Sequence, residues 1–386
     1  MNKVRFGIIG VGNMGYAHLC NFNSGKINEA VLTAVCDIDI ERLEKAAKDS
    51  KTPVKAFERA EDLINSGEVD AILIATPHYL HPVYAIKGFE AGLHVLIEKP
   101  AGVYTKQVRE MNEVAKKTGK VFGIMYNQRT NPVYKKVKSL IDEGELGEIR
   151  RVNWIITDWY RTQHYYDSGT WRATWAGEGG GVLLNQDPHQ LDLLQWLCGM
   201  PKRVHAFCSY GKFHDIEVED DVTAYFEYEN GATGVFVTST GDAPGTNRLE
   251  ISGDMGKIIV ENDKIEFYRN RQPVSEHIKT CKSGFERPEV WKCEVPVYGS
   301  SPQHIGIVND FASAVLHGTK LLAPGEEGIN GLTISNAIHL SSWTGKTVEL
   351  PIDEDLFYEL LQEKIKTSRY KKKSVTGTIE NLDGTY

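Results

Sequence analysis

Short apolar runs alternate with helix-like segments through the first third of the sequence. The apolar runs fall at Val4–Ile9, Ala30–Cys36, 71–75, His94–Ile97 and 121–125. Strand–helix alternation of this kind predicts a parallel sheet with helices on both faces. Because crossovers between parallel strands are right-handed, the predicted architecture is a doubly wound α/β fold of the Rossmann type, which we assign to residues 1–123.

The pattern changes near residue 124, where strand-like segments begin to follow one another directly. They cover 150–157, 204–210, 222–228, 232–239, 248–252, 257–261 and 264–268. Asn230-Gly231 is a favourable hairpin turn between two of them, and Gly253-Asp254 marks a second. We expect residues 124–386 to form an α+β domain with a large, mostly antiparallel open sheet. Later helices, over 305–316 and 328–341, are expected to pack back across the molecule.

An open sheet leaves one face without cover from its own chain, and burial of that face between subunits removes it from water. We therefore expect a homodimer or homotetramer. Trp154 and Phe236, on alternating strands, are the residues expected to supply the apolar surface.

Composition narrows the class of protein. Hydrophobic residues make up 41% and charged residues 25%, as in an ordinary globular protein, and the formal net charge of -8 argues against a nucleic-acid-binding surface. No apolar run reaches the roughly 18 residues of a membrane helix, so we expect no membrane association. The strand pattern begins at once, which leaves no room for a signal peptide.

Two further features of composition bear on the compartment and on possible ligands. The six cysteines include no C-x-x-C pair, and no His/Cys cluster is evident, so the sequence predicts reduced thiols in a cytoplasmic protein with no metal site. The basic stretch from Lys364 to Lys373 is interpreted as a solvated tail or helix end in preference to an anion-binding patch.

A glycine-rich turn follows the first predicted strand. Gly10, Gly12, Asn13, Met14 and Gly15 belong to a G-x-G-x-x-G motif in which strand, turn and helix come in the right order. Such glycines allow a tight turn and close approach of backbone to a pyrophosphate, which the helix N-terminus then binds.

The next strand ends in Asp37, whose carboxylate can bind the adenosine ribose hydroxyls and repels a 2′-phosphate. No cation directly follows it. The predicted cofactor is therefore NAD, with NADP the less favoured alternative.

Three more segments resemble the Gfo/Idh/MocA family of oxidoreductases, which includes glucose-fructose oxidoreductase and inositol dehydrogenase. Residues 75–81, Ala-Thr-Pro-His-Tyr-Leu-His, are similar to its T-P-N-x-x-H segment, and Glu98-Lys99-Pro100 matches its E-K-P. Residues 179–192 resemble its G-G-G-x-x-x-D-x-x-x-H-x-x-D segment. The resemblance implies an oxidoreductase that moves a hydride between a nicotinamide and a hydroxyl or keto carbon of a sugar, glycoside or inositol-like polyol.

The resemblance also implies roles for particular residues. Lys99 and His189 would line the cleft beside the nicotinamide, as the groups that exchange or stabilise the hydroxyl proton. Asn185 stands where the family usually has aspartate; an amide can orient a hydroxyl but cannot take up its proton. Asp192, one helical turn after His189, could bind substrate, pair with the histidine or be structural. Asp187-Pro188 is expected to cap the helix that carries His189.

Further cofactor contacts are expected at strand ends and in the loop before the triple glycine. Besides the glycine motif, Asp37 and Lys99, the predicted cofactor-binding residues are Thr76, Pro77, His78, His81, Glu98, Gln128 and Arg172.

The segment 158–175 is rich in aromatic and polar side chains, which suit the C–H faces and hydroxyls of a sugar. The predicted substrate contacts, with Asn185 and Asp192, are Tyr126, Arg129, Tyr160, His164, Tyr165 and Trp171. The competing interpretation is that about half of these aromatics belong to a sheet interface between subunits.

Three functions remain open at this point. The first is a reversible NAD-dependent dehydrogenase of a cyclic polyol. The second is a glycosidase-like enzyme that uses oxidation transiently and then eliminates a leaving group. The third is a non-enzymatic NAD-binding regulator built on the same fold.

Overall fold

The computed structural model describes residues 3–368. Its first sheet contains six parallel strands in the order β3-β2-β1-β4-β5-β6, which confirms the doubly wound fold. The strands are Val4–Ile9 (β1), Ala30–Cys36 (β2), Lys55–Phe57 (β3), Ala71–Ile74 (β4), His94–Ile97 (β5) and Phe122–Ile124 (β6). The apolar runs of the five strands other than β3 are largely buried on both faces, as parallel strands between helices require.

Helices cover both faces of this sheet. They are Asn13–Asn23 (α1), Ile40–Asp49 (α2), Ala60–Ile64 (α3), His81–Glu90 (α4) and Thr105–Thr118 (α5). Strand β3 was not predicted, because its three residues lie at the sheet edge and two of them are exposed. The predicted division after residue 123 falls inside β6, and the division into domains itself stays a prediction.

After a helix at Pro132–Asp142 (α6), a nine-stranded sheet begins. Its strands are Ile149–Ile156 (β7), Arg203–Tyr210 (β8), Glu219–Glu227 (β9), Thr233–Ser239 (β10), Asn247–Gly253 (β11), Gly256–Glu261 (β12), Lys264–Asn270 (β13), Val290–Cys293 (β14) and Val348–Glu349 (β15). The order is β14-β13-β12-β11-β7-β10-β9-β8-β15, with β7 and β10 parallel and the other pairs antiparallel. The predicted hairpin at Asn230-Gly231 joins β9 to β10.

Seven more α-helices follow α6 along the described part of the chain. They are Gln163–Asp167 (α7), Val182–Asn185 (α8), Pro188–Cys198 (α9), Val274–Thr280 (α10), Gln303–His317 (α11), Gly328–Thr344 (α12) and Glu354–Thr367 (α13). Helix α11 lies against the parallel sheet, where the rings of Phe311 and Phe6 are 5.7 Å apart. Helix α13 is tied to α5 by an ion pair of 2.7 Å between Arg109 and Glu354.

The open face of the large sheet is not formed by the residues expected to form it. Trp154 and Phe236 are fully buried, with their rings 6.5 Å apart, so the prediction that they supply exposed surface is wrong. Successive strand residues point to opposite faces. The exposed large apolar side chains on β7 to β10 are Ile155, Phe207, Tyr210, Tyr225 and Val235.

The predicted basic stretch is described as far as residue 368, and its part from residue 369 lies outside the described residues. Lys364 is in the last turn of α13, where its ammonium is 5.0 Å from the ring centre of Trp343 and 5.4 Å from that of Trp175. It is therefore packed on aromatic faces, in the part of the stretch that the structure describes. Over residues 3–368, none of the helices combines the length and the hydropathy of a membrane span.

Candidate active site

The glycine turn between β1 and α1 forms a cradle that a side chain would fill. Gly10 has φ of +90°, and a Cβ there would lie 2.7 Å from the Ala75 carbonyl oxygen. A Cβ at Gly15 would lie 1.8 Å from the Gly10 oxygen, so strand and helix approach each other too closely for any other residue. At Gly12 the nearest atom to such a Cβ is Arg42 Nη1, at 3.7 Å. The backbone is thus open on that side, at the N-terminus of α1, which fits a dinucleotide pyrophosphate.

Asp37 holds this turn in place. Its Oδ2 accepts a hydrogen bond of 2.7 Å from the Val11 amide, and its Oδ1 accepts one of 2.9 Å from the Asp39 amide. Each carboxylate oxygen has a second lone pair, so the group keeps the capacity to accept from ribose hydroxyls. Next to it Ile38 is 90% exposed, an apolar surface at the strand end.

Lys99 follows β5 at the carboxyl edge of the parallel sheet. Its ammonium donates a hydrogen bond of 2.8 Å to the main-chain oxygen of Asn185. Burial lowers the pKa of Lys99; the Glu98 carboxylate opposes this shift and the Arg172 cation adds to it. The side chain is therefore directed across the cleft at the triple-glycine segment.

The carboxylate next to Lys99 is turned toward two histidines from opposite ends of the chain. Glu98 Oε1 is 2.6 Å from His18 Nε2, and the rings of His18 and His304 are 5.3 Å apart in an edge-to-face arrangement. Burial alone would raise the pKa of Glu98, but the hydrogen bond with His18 lowers it to about 2. Glu98 is consequently a fixed negative charge behind Lys99.

His189 lies in the first turn of α9 and is buried. Neither ring nitrogen has a hydrogen-bond partner within residues 3–368. Burial lowers the pKa of His189 well below its usual range, and the Lys99 cation lowers it further. The ring stands edge-on to Tyr126, with 6.4 Å between centroids. The result is a neutral imidazole with free hydrogen-bonding capacity beside a cationic lysine.

Asn185 ends α8 and connects the two sides of the cleft. Its Nδ2 donates to Glu178 Oε1, and its Oδ1 accepts a hydrogen bond of 3.3 Å from the Tyr165 hydroxyl. The second oxygen of Glu178 accepts one of 2.6 Å from the Ala173 amide. Side-chain and main-chain atoms of Asn185 are thus both held by charged groups.

The loop before the triple glycine supplies a wall of stacked rings. Arg172 lies 4.7 Å from the ring centre of Tyr165 and 4.8 Å from that of Trp171, and its Nη1 donates a hydrogen bond of 2.8 Å to the Tyr165 hydroxyl. Trp171 in turn packs edge-to-face on His78, at 5.3 Å. Predicted substrate and cofactor residues therefore form one connected surface.

Two family models match the chain, in the same order as the two sheets. Residues 4–126 match the oxidoreductase family with an NAD-binding Rossmann fold, and residues 134–259 match the GFO/IDH/MocA C-terminal domain. Together the matches take in more than half of the sequence. The chain belongs to the Gfo/Idh/MocA oxidoreductase family.

Several relatives of this Gfo/Idh/MocA protein are named as inositol dehydrogenases. The rhizopine catabolism protein MocA of Rhizobium meliloti is 32% identical over 52% of this chain and 58% of its own. The myo-inositol 2-dehydrogenase of Thermotoga maritima is 27% identical over 67% of this chain and 75% of its own. Among solved structures, the WlbA dehydrogenase of Bordetella pertussis in complex with NADH and UDP-GlcNAcA superposes with a TM-score of 0.78 at 26% identity, covering 92% of this chain and 99% of that one.

Two predicted substrate residues of this Gfo/Idh/MocA oxidoreductase are turned toward each other. Arg129 donates to both oxygens of Asp192, at 2.8 and 2.6 Å, and also to Glu327 at 2.6 Å. The Arg129 and Asp192 side chains are each 1% exposed. This geometry is that of a buried structural ion pair. The predicted contact of Arg129 and Asp192 with substrate stays a prediction, and the ion-pair geometry does not favour it.

Other predicted residues are placed at the edge of the site. His81 is buried with its ring nitrogens 2.7 Å from the carbonyl oxygens of Pro100 and Thr76, so it ties two strand-end loops together. Tyr160 is 50% exposed and His164 is also exposed, so neither is enclosed with Lys99. Pro77 and Gln128 are half-buried at the ends of β4 and β6, and their cofactor contacts stay predictions.

Details around the triple-glycine segment and the loop before it also differ from expectation. Asp187 stands at the N-cap position of α9 with Pro188 following, but its side chain makes no capping hydrogen bond. Three other aromatics of the 158–175 segment, Trp159, Tyr166 and Trp175, are buried within this chain instead of facing another subunit.

Sequence reasoning missed four residues of the site: His18, Arg42, Glu178 and His304. Glu178 directly precedes the triple glycine, and a carboxylate beside that motif was an available signal. His18 and His304 are brought together by α1 and α11, from nearly opposite ends of the chain, and nothing local in the sequence indicates their contact.

Proposed function

We propose that this chain is an NAD-dependent dehydrogenase that oxidises a ring hydroxyl of a sugar-like cyclic polyol to a ketone. The observation that carries the proposal is a buried His189 that has no hydrogen-bond partner within residues 3–368 and is close enough to Lys99 for that cation to lower its pKa, in a site whose glycine cradle fits a dinucleotide. A polar side chain buried without a partner is costly, and such costs persist where a ligand completes the site.

The two side chains divide the work on the hydroxyl group. Because burial keeps His189 neutral, its imidazole can accept the hydroxyl proton. The Lys99 ammonium, fixed on the Asn185 carbonyl, stabilises negative charge on the same oxygen. In the reverse direction the protonated imidazole returns the proton to the carbonyl oxygen.

The overall step is a balanced two-electron oxidation. NAD⁺, which Gly10, Gly12 and Asp37 would hold, would supply the acceptor for the hydride. The carbinol carbon loses its hydrogen with the bonding electron pair, the hydroxyl oxygen loses its proton to His189, and a C=O bond forms. One NADH and one proton result from each hydroxyl oxidised.

Substrate class is inferred from the wall beside these groups. Tyr165 and Trp171 offer aromatic faces, and Asn185 and Arg172 offer hydrogen-bonding groups, a combination that suits C–H faces alternating with hydroxyls. Relatives named for inositol, and a structural neighbour bound to a nucleotide sugar, support the same class.

A screen of NADH formation against inositols, free sugars and glycosides tests the proposal. We expect net NADH with at least one cyclic polyol. Release of an aglycone without net NADH would replace the proposal with transient oxidation followed by elimination. Tight NAD binding without turnover on the whole panel would favour a regulator.

A further inference from the structure

Glu178 is a buried carboxylate that contacts Asn185 from the side away from the proposed substrate. We propose that Glu178 is a positioning residue: it fixes the Asn185 amide with its oxygen toward the Tyr165 hydroxyl, on the side proposed to take the substrate, and it holds a negative charge across Asn185 from Lys99. The proposal deepens the proposed function and rests on it for its kinetic consequences.

The direction of the Asn185 amide follows from the chemistry of its neighbour. An ionised carboxylate only accepts hydrogen bonds, so the Nδ2 group must face Glu178 Oε1. The Oδ1 atom is then left on the side of the Tyr165 hydroxyl, 3.3 Å away. Reversal of the amide would place two acceptors against each other in a buried position. Glu178 thereby decides that residue 185 presents an acceptor to this side of the cleft.

The same carboxylate connects Asn185 to the aromatic wall. Glu178 is 1% exposed, and its Oε2 accepts a hydrogen bond of 2.6 Å from the amide of Ala173, the residue after Arg172. Its main-chain oxygen is 3.2 Å from His78 Nδ1. A buried charge with this many directed contacts is held rigidly. The Glu178 carboxylate therefore contacts both sides of the proposed substrate site, Asn185 on one side and the aromatic loop on the other.

The negative charge of Glu178 also acts on Lys99. Lys99 binds the main-chain oxygen of Asn185, and Glu178 binds its side chain, so a cation and an anion bracket one residue. The Glu178 carboxylate opposes the lowering of the Lys99 pKa that burial causes. Asn185 stands where the family segment that it resembles usually has aspartate; in this chain a carboxylate is present seven residues earlier in the sequence, hydrogen-bonded to the Asn185 side chain.

The test compares E178Q with the charge-relocated double variant E178Q/N185D. In E178Q the charge-assisted bond is lost and the amide is free to reverse, so we expect kcat/KM for the best polyol to fall by about 10- to 100-fold, mainly through KM. In the double variant a carboxylate returns at residue 185, and we expect most of the loss to be recovered.

A second readout does not depend on turnover. Amine-reactive labelling of Lys99 across pH, read by mass spectrometry, reports the pKa of its ammonium. Loss of the Glu178 anion should lower the pKa of Lys99, so labelling of its neutral amine should begin at lower pH in E178Q. The carboxylate in E178Q/N185D should shift the labelling back toward the wild-type pH. If the wild type oxidises no polyol, the proposed function fails while this result still tests where the charge acts.

E217Q is the matched control. Glu217 accepts a hydrogen bond of 2.8 Å from the Trp175 amide, so it supports the same loop through a carboxylate without contacting Asn185. We expect its KM and its Lys99 labelling to match the wild type. Equal behaviour of E178Q and E217Q in both measurements would overturn the proposal.

Should E178Q not fold, E178D keeps the buried charge but withdraws it from Asn185 by one methylene. We then expect KM to rise while Lys99 labelling stays close to that of the wild type. An E178D variant with unchanged KM would equally contradict a positioning role.

Discussion

His189 and Asp192 lie three residues apart on helix α9, and both were predicted to be functional. Both are buried, with 2% and 1% of their surface exposed. His189 makes no hydrogen bond within residues 3–368, whereas Asp192 is fully engaged with Arg129 through two short bonds. One helix therefore presents an unsatisfied polar group and a satisfied one in adjacent turns.

The difference between His189 and Asp192 shows which kind of buried polar side chain indicates a functional site. A paired buried charge stabilises the fold through its partner, and its removal leaves that partner uncompensated. An unpaired imidazole gains no comparable stabilisation from the fold, and under the proposed function the substrate hydroxyl would complete its hydrogen bonding. Activity and stability should consequently separate along α9.

The largest expected effect is on catalysis at the unsatisfied end. His189→Ala should lower turnover by about 10²- to 10⁴-fold, because it removes the group that accepts the hydroxyl proton. NAD affinity and melting temperature should change little. Single-turnover hydride transfer, followed by NADH absorbance, makes the measurement.

Lys99→Ala serves as the companion variant and should lose at least as much activity, since it removes the cation beside the reacting oxygen. Normal hydride transfer in His189→Ala, with the loss confined to binding, would assign the proton to Lys99.

The paired end of α9 should behave in the opposite way. Asp192→Ala leaves the Arg129 cation buried beside Glu327 alone and should destabilise the fold by about 3–5 kcal/mol. The folded fraction should keep most of its turnover. Urea unfolding together with kcat per folded molecule measures the two quantities, and a large loss of kcat in folded Asp192→Ala would return this residue to the substrate site.

The pH dependence sharpens the same contrast. Burial lowers the pKa of His189 well below its usual range, so oxidation should persist below pH 6.5 and decline only as the imidazole becomes protonated at still lower pH. The unfolded chain takes up that proton near pH 6.5 and the folded chain does not, so this group's share of stability is present above that pH and is lost as pH falls. A kcat/KM profile with a midpoint at an ordinary histidine pKa would contradict the assignment.

The smallest expected effect concerns cofactor choice at the other edge of the cleft. Asp37→Ser should narrow the preference for NAD over NADP, because it removes the carboxylate that repels a 2′-phosphate and leaves Arg42 beside Gly12. Fluorescence titration of both cofactors checks this. Because Asp37 also holds the Val11 amide, NAD affinity should fall as well. Equal affinity for the two cofactors in the wild type would already exclude the preference.

The cofactor side of the molecule was the more predictable from sequence. Its strands are local apolar runs, and the conformation of its turn is dictated by glycines at Gly10 and Gly15 that admit no side chain. Each of these signals is contained in a few consecutive residues. Five of the six parallel strands and the glycine cradle could therefore be predicted within one or two residues, whereas the short edge strand β3 could not.

The substrate side depends on contacts between distant residues, and prediction there was less complete. Nothing near Arg129 indicates that its partner is 63 residues away, and nothing near Trp154 shows which face of β7 is covered by helices. The family resemblance made Asp192 a candidate and the position after the last parallel strand made Arg129 one, whereas Glu178 was not predicted. Side-chain pairing, which decides these cases, is set by the tertiary arrangement.

Helix α11 has a consequence for how the chain is made. Phe311 packs edge-on against Phe6 and would lie 2.8 Å from a Cβ placed on Gly123 in β6, so the parallel sheet is completed by a helix translated long after its last strand. At synthesis rates of about 5–20 residues per second, a ribosome needs roughly ten seconds or more to reach α11 once β6 is made. During that interval the part of the nascent sheet that Phe311 later covers, at Phe6 and Gly123, lacks this helix, and termination before α11 would leave it without that cover.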